Sequence, residues 1–220
     1  MQDKFHLSRE QNRFLAKKNI AAVVHSISRL ENVNTTFPQT QTIVNGMSVG
    51  GVSTDDVQTI LNLKNAWQYI LAADAPFDWN LLCRINGFVA YNESLAWGEM
   101  RTGRVGIGGV GYVPPVPRQP EIEQTLANLA ALPVSATART LKTMYRMMRA
   151  QWFWDGNKRT AIIAANYQMI AAGAGIINIA QAQLEHWHAL LSAFYESGDD
   201  GEIVRWTYQH CVHGIEMPQP

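Results

Sequence analysis

The fold is decided by the stretch Arg149-Ala-Gln-Trp-Phe-Trp-Asp-Gly-Asn-Lys-Arg-Thr160. Its centre, Asp155-Gly156-Asn157, is typical of a turn before a helix, because Asp and Asn side chains bond to nearby backbone and glycine adopts left-handed angles. Apolar residues at helical spacing follow and run to Gly173, which is placed to end the helix. The sequence therefore predicts a loop that leads into the N-terminus of a long helix.

Positive charge at this helix start indicates an anion site. The first N–H groups of a helix have no partner within the helix, and they carry the positive end of its dipole. Lys158 and Arg159 add two cationic side chains. A polyphosphate is the ligand that this arrangement favours. The alternative interpretation is a plain capped helix, with Asp155 and Asn157 as caps and both cations solvated.

The stretch resembles the signature of the Fic/Doc (Fido) family, His-x-Phe-x-(Asp/Glu)-Gly-Asn-(Gly/Lys)-Arg-x-x-Arg. The match falls on Phe153 and on residues 155–159. The resemblance implies that Asp155 holds Mg²⁺ and that the Gly156-Asn157 turn cradles the inner phosphates of ATP, the co-substrate. It also implies that Arg159 binds the outer phosphates. Lysine at position 158 is similar to the residue found in the Doc branch of the family, whose members transfer a γ-phosphate instead of AMP.

Two further positions depart from the family pattern. Gln151 stands where the family has a histidine that takes the proton from the acceptor hydroxyl, and Ile162 stands where the motif has its last arginine. An amide cannot accept a proton near neutral pH, and losing a positioned base costs roughly 10²–10⁴ in rate. Gln151 is still a candidate catalytic residue, with Asp155 and Arg159, because its amide is able to orient the acceptor by hydrogen bonding.

Residues 14–34 are predicted to form an N-terminal helix, because apolar residues recur at helical spacing between Phe14 and Glu31. The end of this segment, Glu31-Asn32, resembles the inhibitory helix of many Fic proteins, with the pattern (Ser/Thr)-x-x-x-Glu-(Gly/Asn). The resemblance implies that Glu31 is inhibitory. Since the last motif arginine is missing, we expect Glu31 to pair with Arg159 or Lys158 instead. The alternative is an ordinary surface glutamate at a helix end.

The glycine-dense stretch of residues 98–115 predicts a β-hairpin. Residues 106–111 match a dinucleotide-binding pattern, but prolines follow where that pattern requires a helix. The stretch resembles the flap of Fic proteins, a hairpin that pairs with a strand of the target protein. Arg101, Val105 and Ile107 are therefore candidate docking residues. An ordinary surface hairpin is the alternative.

The rest of the chain predicts a helical scaffold, with Ser53 as the N-cap of a long amphipathic helix. Arg149 is the one member of a basic stripe before the motif that we expect to reach the site. His186 and His188 are two residues apart on a helix and so point to different faces, and we interpret both as structural. The predicted fold is all-α, a Fic (Fido) fold of about eight helices with a small hairpin flap.

Composition predicts a single cytoplasmic domain covering residues 1–220. The chain has 47% apolar residues and a formal net charge of zero, so nothing attracts it generally to nucleic acid or membranes. Its most apolar window is too polar for a membrane span. Two cysteines and an N-terminus without an apolar core favour the reducing cytoplasm, although delivery into another cell would leave no trace in the sequence.

The residues and the resemblance together predict a nucleotide-dependent transferase. It would move AMP, or another phosphate-linked group, from ATP to a protein hydroxyl, impaired by the loss of the base at Gln151. One alternative is a silent Fic-fold module that binds nucleotide or protein, and another is a Doc-like protein kinase or toxin. The expected partner is a protein target at the flap, while a separate inhibitor protein and a homo-oligomer stay open.

Overall fold

The computed structural model describes residues 1–215 and confirms an all-α fold. The described part of the chain forms ten α-helices, two short 3₁₀ turns and one two-stranded antiparallel sheet. The helices are α1 (Arg9–Lys18), α2 (Ile20–Ser28), α3 (Phe37–Val44), α4 (Thr54–Ala72), α5 (Trp79–Val89), α6 (Gln119–Ala130), α7 (Ala136–Ala150), α8 (Asn157–Ala172), α9 (Leu184–Ser197) and α10 (Gly201–Cys211). The strands are β1 (Ile176–Ile177) and β2 (Val212–His213), and the 3₁₀ turns are Arg29–Glu31 and Gln181–Gln183.

Helices α7 and α8 form the centre of the molecule, as the sequence predicts. Nearly every residue of α8 is buried, so this helix packs against neighbours on all sides. Helix α7 buries one apolar face and ends at Gln151, whose backbone is left-handed (φ 48°). The loop between the two helices, residues 151–156, is therefore fixed at both ends by core helices.

Gly173 ends α8, and this prediction is confirmed. Its φ is +68°, and the Ala174 N–H donates to the Met169 carbonyl, as in a left-handed helix cap. A Cβ atom at this position would lie 1.9 Å from the Leu7 carbonyl oxygen. Only glycine therefore allows the N-terminal segment to pack against the end of α8.

The predicted N-terminal helix is interrupted at Asn19, so the expectation of one continuous helix was wrong there. Helix α1 ends at Lys18, and α2 begins at Ile20. The Asn19 side chain donates to the Leu15 carbonyl at 2.8 Å, which satisfies the end of α1 and lets the chain change direction. The 3₁₀ turn Arg29–Glu31 then carries the chain to Asn32, whose backbone is left-handed (φ 58°).

Residues 98–115, predicted as a hairpin, form an extended loop that contains no strand. Met100 makes an isolated bridge with Phe153, and the loop reverses where the Val110 N–H donates to the Ile107 carbonyl. Glycine and proline explain the missing ladder, because glycine adds no cross-strand packing and proline donates no hydrogen bond. We call this segment the flap loop. Among residues 1–215, no helix is long and apolar enough to cross a membrane.

Buried asparagines join the helical core to the short sheet. Asn166 of α8 is fully buried, and its side chain binds both the N–H and the carbonyl of Ile177 in β1, at 2.8 and 3.0 Å. It also donates to the Ile162 carbonyl. A single side chain thus satisfies backbone groups that the two-residue strand leaves buried.

We expect Asn166→Ala to lower the free energy of unfolding by about 1–3 kcal/mol, because it leaves the buried Ile177 backbone groups unpaired. Chemical denaturation measures this change. Asn128→Ala, on the exposed face of α6, is the matched control and should change stability by less than about 0.5 kcal/mol. Equal effects of the two substitutions would contradict this account of the core.

Candidate functional site

A cavity of about 520 Å³ opens at the N-terminus of α8. Five residues of the motif line it: Gln151, Trp154, Asp155, Asn157 and Lys158. The opposite walls come from the 3₁₀ turn Arg29–Glu31, from the flap loop and from α9. The structure therefore brings the motif, the N-terminal segment and the flap loop around one space.

The start of α8 leaves backbone N–H groups without partners in the helix. The first helical hydrogen bond runs from the Thr160 N–H to the Gly156 carbonyl, so the N–H groups of residues 157–159 have no partner within the helix. Gly156 has φ +70°, and a Cβ there would lie 2.9 Å from the Val89 side chain. Glycine is therefore required by both the turn and its packing.

Asn157 supports the loop with its side chain. Its amide nitrogen donates to the Phe153 carbonyl at 2.8 Å, and its amide oxygen accepts from the Phe153 N–H at 2.9 Å. Both side-chain groups thus hold the loop that precedes α8. Asn157 is left with its backbone N–H to offer to an anion.

Arg159, the expected outer-phosphate ligand, is almost completely buried, with 1% of its side chain exposed. Its guanidinium faces three carboxylates: Glu31 at 3.1 Å, Glu93 at 2.5 Å and Asp155 at 3.6 Å. Burial by itself would lower the pKa of Arg159, but these carboxylates outweigh burial and raise it. In this conformation the cation is held by protein carboxylates.

The ion pair expected between Glu31 and Arg159 is present. The ion pair joins Glu31 Oε1 to Arg159 Nε. The Nε–H bond does not point at this oxygen, so the pair is not also a hydrogen bond. Lys158 lies beside it and donates to the Leu30 carbonyl at 3.4 Å. Asn32 follows in the left-handed conformation, which explains why glycine or asparagine suits this position.

Glu93 is the site residue that the sequence does not reveal. Its carboxylate binds Arg159 Nη1 and also accepts from Asn62 Nδ2 at 3.0 Å and Thr59 Oγ1 at 3.1 Å. It therefore fastens Arg159 to α4. Glu93 stands in the loop after α5 and belongs to no motif, so no spacing signal marks it.

Arg101 differs from its predicted role as a docking residue. It is fully buried, and its guanidinium donates to carbonyls at both ends of the flap loop, Gly103 at one end and Pro115 at the other. Its Nε donates to the Gln151 carbonyl. All three guanidinium nitrogens donate to backbone carbonyls, so Arg101 holds the flap loop against the end of α7. Its side chain is therefore not available to a docking protein.

The flap loop has an outgoing arm, residues 103–107, and a returning arm, residues 110–115. The outgoing arm borders the cavity. Val105 and Ile107 are half-buried and line the cavity. The returning arm is held on the other side, where the Arg149 guanidinium lies 3.5 Å from the centre of the Tyr112 ring. Arg149 also donates to the Tyr195 carbonyl and does not line the cavity, contrary to the expectation that it reaches the site.

His188 does line the cavity, so our interpretation of it as purely structural was wrong. His186, two residues earlier, packs instead against the Trp206 ring at a centroid distance of 5.2 Å. The two residues do point to different faces of α9, as their spacing predicts. What the sequence could not show is that one of those faces borders the motif.

We expect Arg101→Met to loosen the flap loop, because it leaves carbonyls at both ends of the loop without their donor. Hydrogen–deuterium exchange should then be faster over residues 103–115. Arg118→Met removes an equally cationic but exposed side chain and serves as the control. Unchanged exchange in the Arg101 variant would show that the clamp does not order the loop.

The fold and the site define an all-α protein in which the loop between two central helices leads into a helix N-terminus beside a cavity. Residues 76–169 match the family model described as Fic/DOC family. A comparison with curated proteins finds no match.

Solved structures share the fold. Fic-1 from C. elegans aligns with a TM-score of 0.73 and 18% identity over 88% of this chain and 60% of that chain. A Fic domain containing signaling protein from Bacteroides thetaiotaomicron aligns with a TM-score of 0.73 and 17% identity, covering 92% of this chain and 85% of that one. A Fic family protein from Desulfovibrio desulfuricans gives 0.73 and 17%, with 88% and 62% covered. This chain thus spans about 60% of the C. elegans structure that it matches.

Proposed function

We propose that this protein binds a nucleoside triphosphate in the cavity and transfers a phosphate-linked group from it to a protein hydroxyl. The observation that carries the proposal is the convergence of the unpaired N–H groups of α8, Lys158 and Asp155 on one cavity. Its volume of about 520 Å³ suits a nucleotide-sized ligand. The match to the Fic/DOC family model supports a transferase of phosphate groups as a class.

The phosphates would lie at the start of α8. The backbone N–H of Asn157 would bind the inner phosphates, and Lys158 would add charge for the outer ones. The Gly156 N–H donates to the Asp155 carboxylate at 2.6 Å and would join Asn157 only after leaving that carboxylate. Arg159 would bind the outer phosphates only after its ion pair with Glu31 is broken. In the alternative Doc-like kinase, Lys158 would favour presentation of the γ-phosphate to the acceptor.

Asp155 is the residue that would hold Mg²⁺. Its carboxylate is 46% exposed and lines the cavity beside the anion site. Within residues 1–215, no group of three or more His, Cys, Asp or Glu side chains forms a metal cage. One carboxylate with phosphate oxygens is nevertheless a common Mg²⁺ environment, so the residues fit a metal that arrives with the nucleotide. Bound there, Mg²⁺ would neutralise phosphate charge.

The N-terminal segment, residues 14–34, is proposed to inhibit this site through Glu31. Its carboxylate lines the cavity and holds Arg159, so it competes with phosphates for the same cation. It also places negative charge where the phosphates would be bound. Inhibition here is a competition between a protein carboxylate and a phosphate.

Glu31→Ala should therefore strengthen binding of Mg-ATP by about tenfold or more, measured by isothermal titration calorimetry. Glu185→Ala, at an exposed position on α9, removes the same charge outside the cavity lining and is the control. Equal affinities for wild type and both variants would refute inhibition by Glu31. No heat with any nucleotide, in any variant, would refute the nucleotide site itself.

A silent binding module is the second candidate function, and two contacts favour it. The Gln151 amide donates to the Met148 carbonyl at 2.6 Å, so it is turned back to the end of α7. Ile162, at the place of the missing arginine, is buried among apolar side chains and offers no charge to a phosphate. A fold with these features could bind nucleotide without transferring it.

Gln151→His distinguishes the two functions. Placing a base at the motif position should raise transfer by roughly 10²–10⁴ if no other residue already supplies one. Self-labelling and labelling of added lysate proteins should be measured with α-labelled and γ-labelled ATP. Slow α-label transfer by the wild type identifies an AMP transferase, and γ-label alone identifies a kinase. Label transfer only by the His variant identifies the silent module.

A target segment is proposed to lie along the outgoing arm of the flap loop. Residues 103–107 form no helix or strand and alternate between half-buried and exposed positions, with Val105 and Ile107 lining the cavity. The carbonyls of Gly103 and Ile107 are bonded within the protein, and the backbone groups between them would accept a further strand. Such pairing would bring a hydroxyl of the target to the cavity.

A further inference from the structure

Helix α9 presents one face to the cavity. His188, Leu191, Ser192 and Tyr195 all line it, and their spacing of three, four and seven residues places them on the same side of a helix. Lys158 and Gln151 line the same cavity. It carries an imidazole, a hydroxyl and a phenol, groups that can exchange protons or hydrogen bonds with a ligand.

The face includes a buried polar atom without a partner. Tyr195 is 4% exposed, and its hydroxyl makes no hydrogen bond within the described structure. Buried hydroxyls are usually paired, so an unpaired one on a cavity wall points to a polar guest. The α9 face is therefore part of the binding site and not only a wall behind it.

We propose that His188 is the general base that Gln151 cannot be, an inference that rests on the proposed transferase function. The Gln151 amide is bonded to the end of α7 and has no basic atom. His188 is the one histidine among the cavity-lining residues, and an imidazole is the side chain best suited to accept a proton at neutral pH. The base would thus reach the acceptor from α9 instead of from the motif.

The charges around His188 keep it in the form that a base needs. Burial lowers its pKa, and Lys158 on α8 lowers it further by repulsion. The other titratable groups that line the cavity are Glu31, Asp155 and Tyr195. The lowered pKa favours the neutral imidazole, whose lone pair is free to accept a proton.

The transfer step balances with this assignment. A lone pair on the imidazole takes the proton of the acceptor hydroxyl, and the acceptor oxygen uses its electron pair to form the new bond to phosphorus. The bond from that phosphorus to the leaving phosphate breaks, and its electron pair leaves on the leaving oxygen. The protonated imidazole then returns the proton to solvent. His188 touches the reacting hydroxyl and is therefore assigned as catalytic.

The test compares His188→Asn with His186→Asn, which alters the same helix on its Trp206 side. The readouts are label transfer from ATP, for the wild type and for the Glu31→Ala background, and Mg-ATP affinity by calorimetry. We expect His188→Asn to lower the transfer rate by roughly 10²-fold or more while the dissociation constant for Mg-ATP changes less than twofold. His186→Asn should leave both unchanged.

The pH profile separates a base from a structural residue. Transfer should fall as the pH drops through the lowered pKa of His188, because the imidazole becomes protonated, and His188→Asn should lack this acid limb. Adding Gln151→His to His188→Asn should restore transfer, which also shows that the variant is folded. Without this rescue and with an unchanged acid limb, the assignment fails.

Nuclear magnetic resonance gives a readout that does not depend on turnover. The imidazole signal absent from His188→Asn should titrate below pH 6.5 and shift when Mg-ATP is added. An unmoved signal, full transfer by His188→Asn, or a loss of transfer matched by a loss of affinity would each overturn the role of His188 as base. In those cases nucleotide binding by the wild type still upholds the proposed function, whereas absence of binding ends both.

Discussion

The whole site depends on the burial of one cation. Arg159 is 1% exposed, and a charge removed from water must be paired or it destabilises the fold by several kcal/mol or more. Its partners come from three separate segments: Glu31 from the N-terminal turn, Glu93 from the loop after α5, and Asp155 from the motif. The arginine therefore ties the start of α8 to two other parts of the chain, and the geometry of the cavity follows from these ties.

These ties also set the electrostatic state of the site. Three carboxylates around one guanidinium leave the immediate surroundings of Arg159 negative, while the N-terminus of α8 and Lys158 remain positive. A polyphosphate would thus enter toward Lys158 and the free N–H groups, where its charge is attracted. It would be repelled where Glu31 and Asp155 lie, unless a divalent cation screens Asp155 or Glu31 moves. In the proposed function, phosphate binding and inhibition by Glu31 would therefore depend on the same set of charges.

The sequence predicted features that depend on local chemistry, such as turns and helix ends. It did not predict contacts between segments that are far apart in the chain. The turn at Gly156, the end of α8 at Gly173 and the pair of Glu31 with Arg159 follow from glycine geometry, helix spacing and opposite charge. Glu93, the burial of Arg101 and the place of His188 depend on contacts between segments far apart in the chain. For example, the spacing of His186 and His188 places them on opposite faces but cannot say which face borders the motif.

Glu31 and Glu93 hold the same arginine but are not equivalent. Glu93 is 19% exposed and satisfied on both oxygens, by Arg159 on one and by Asn62 and Thr59 on the other. Glu31 is 30% exposed, lies at the end of a short 3₁₀ turn, and contacts Arg159 without an in-line hydrogen bond. Displacing Glu93 would leave two polar groups of α4 unpaired, whereas Glu31 can return to water at little cost. An incoming phosphate would therefore replace Glu31 and keep Glu93, so that Arg159 gains a ligand without losing its anchor.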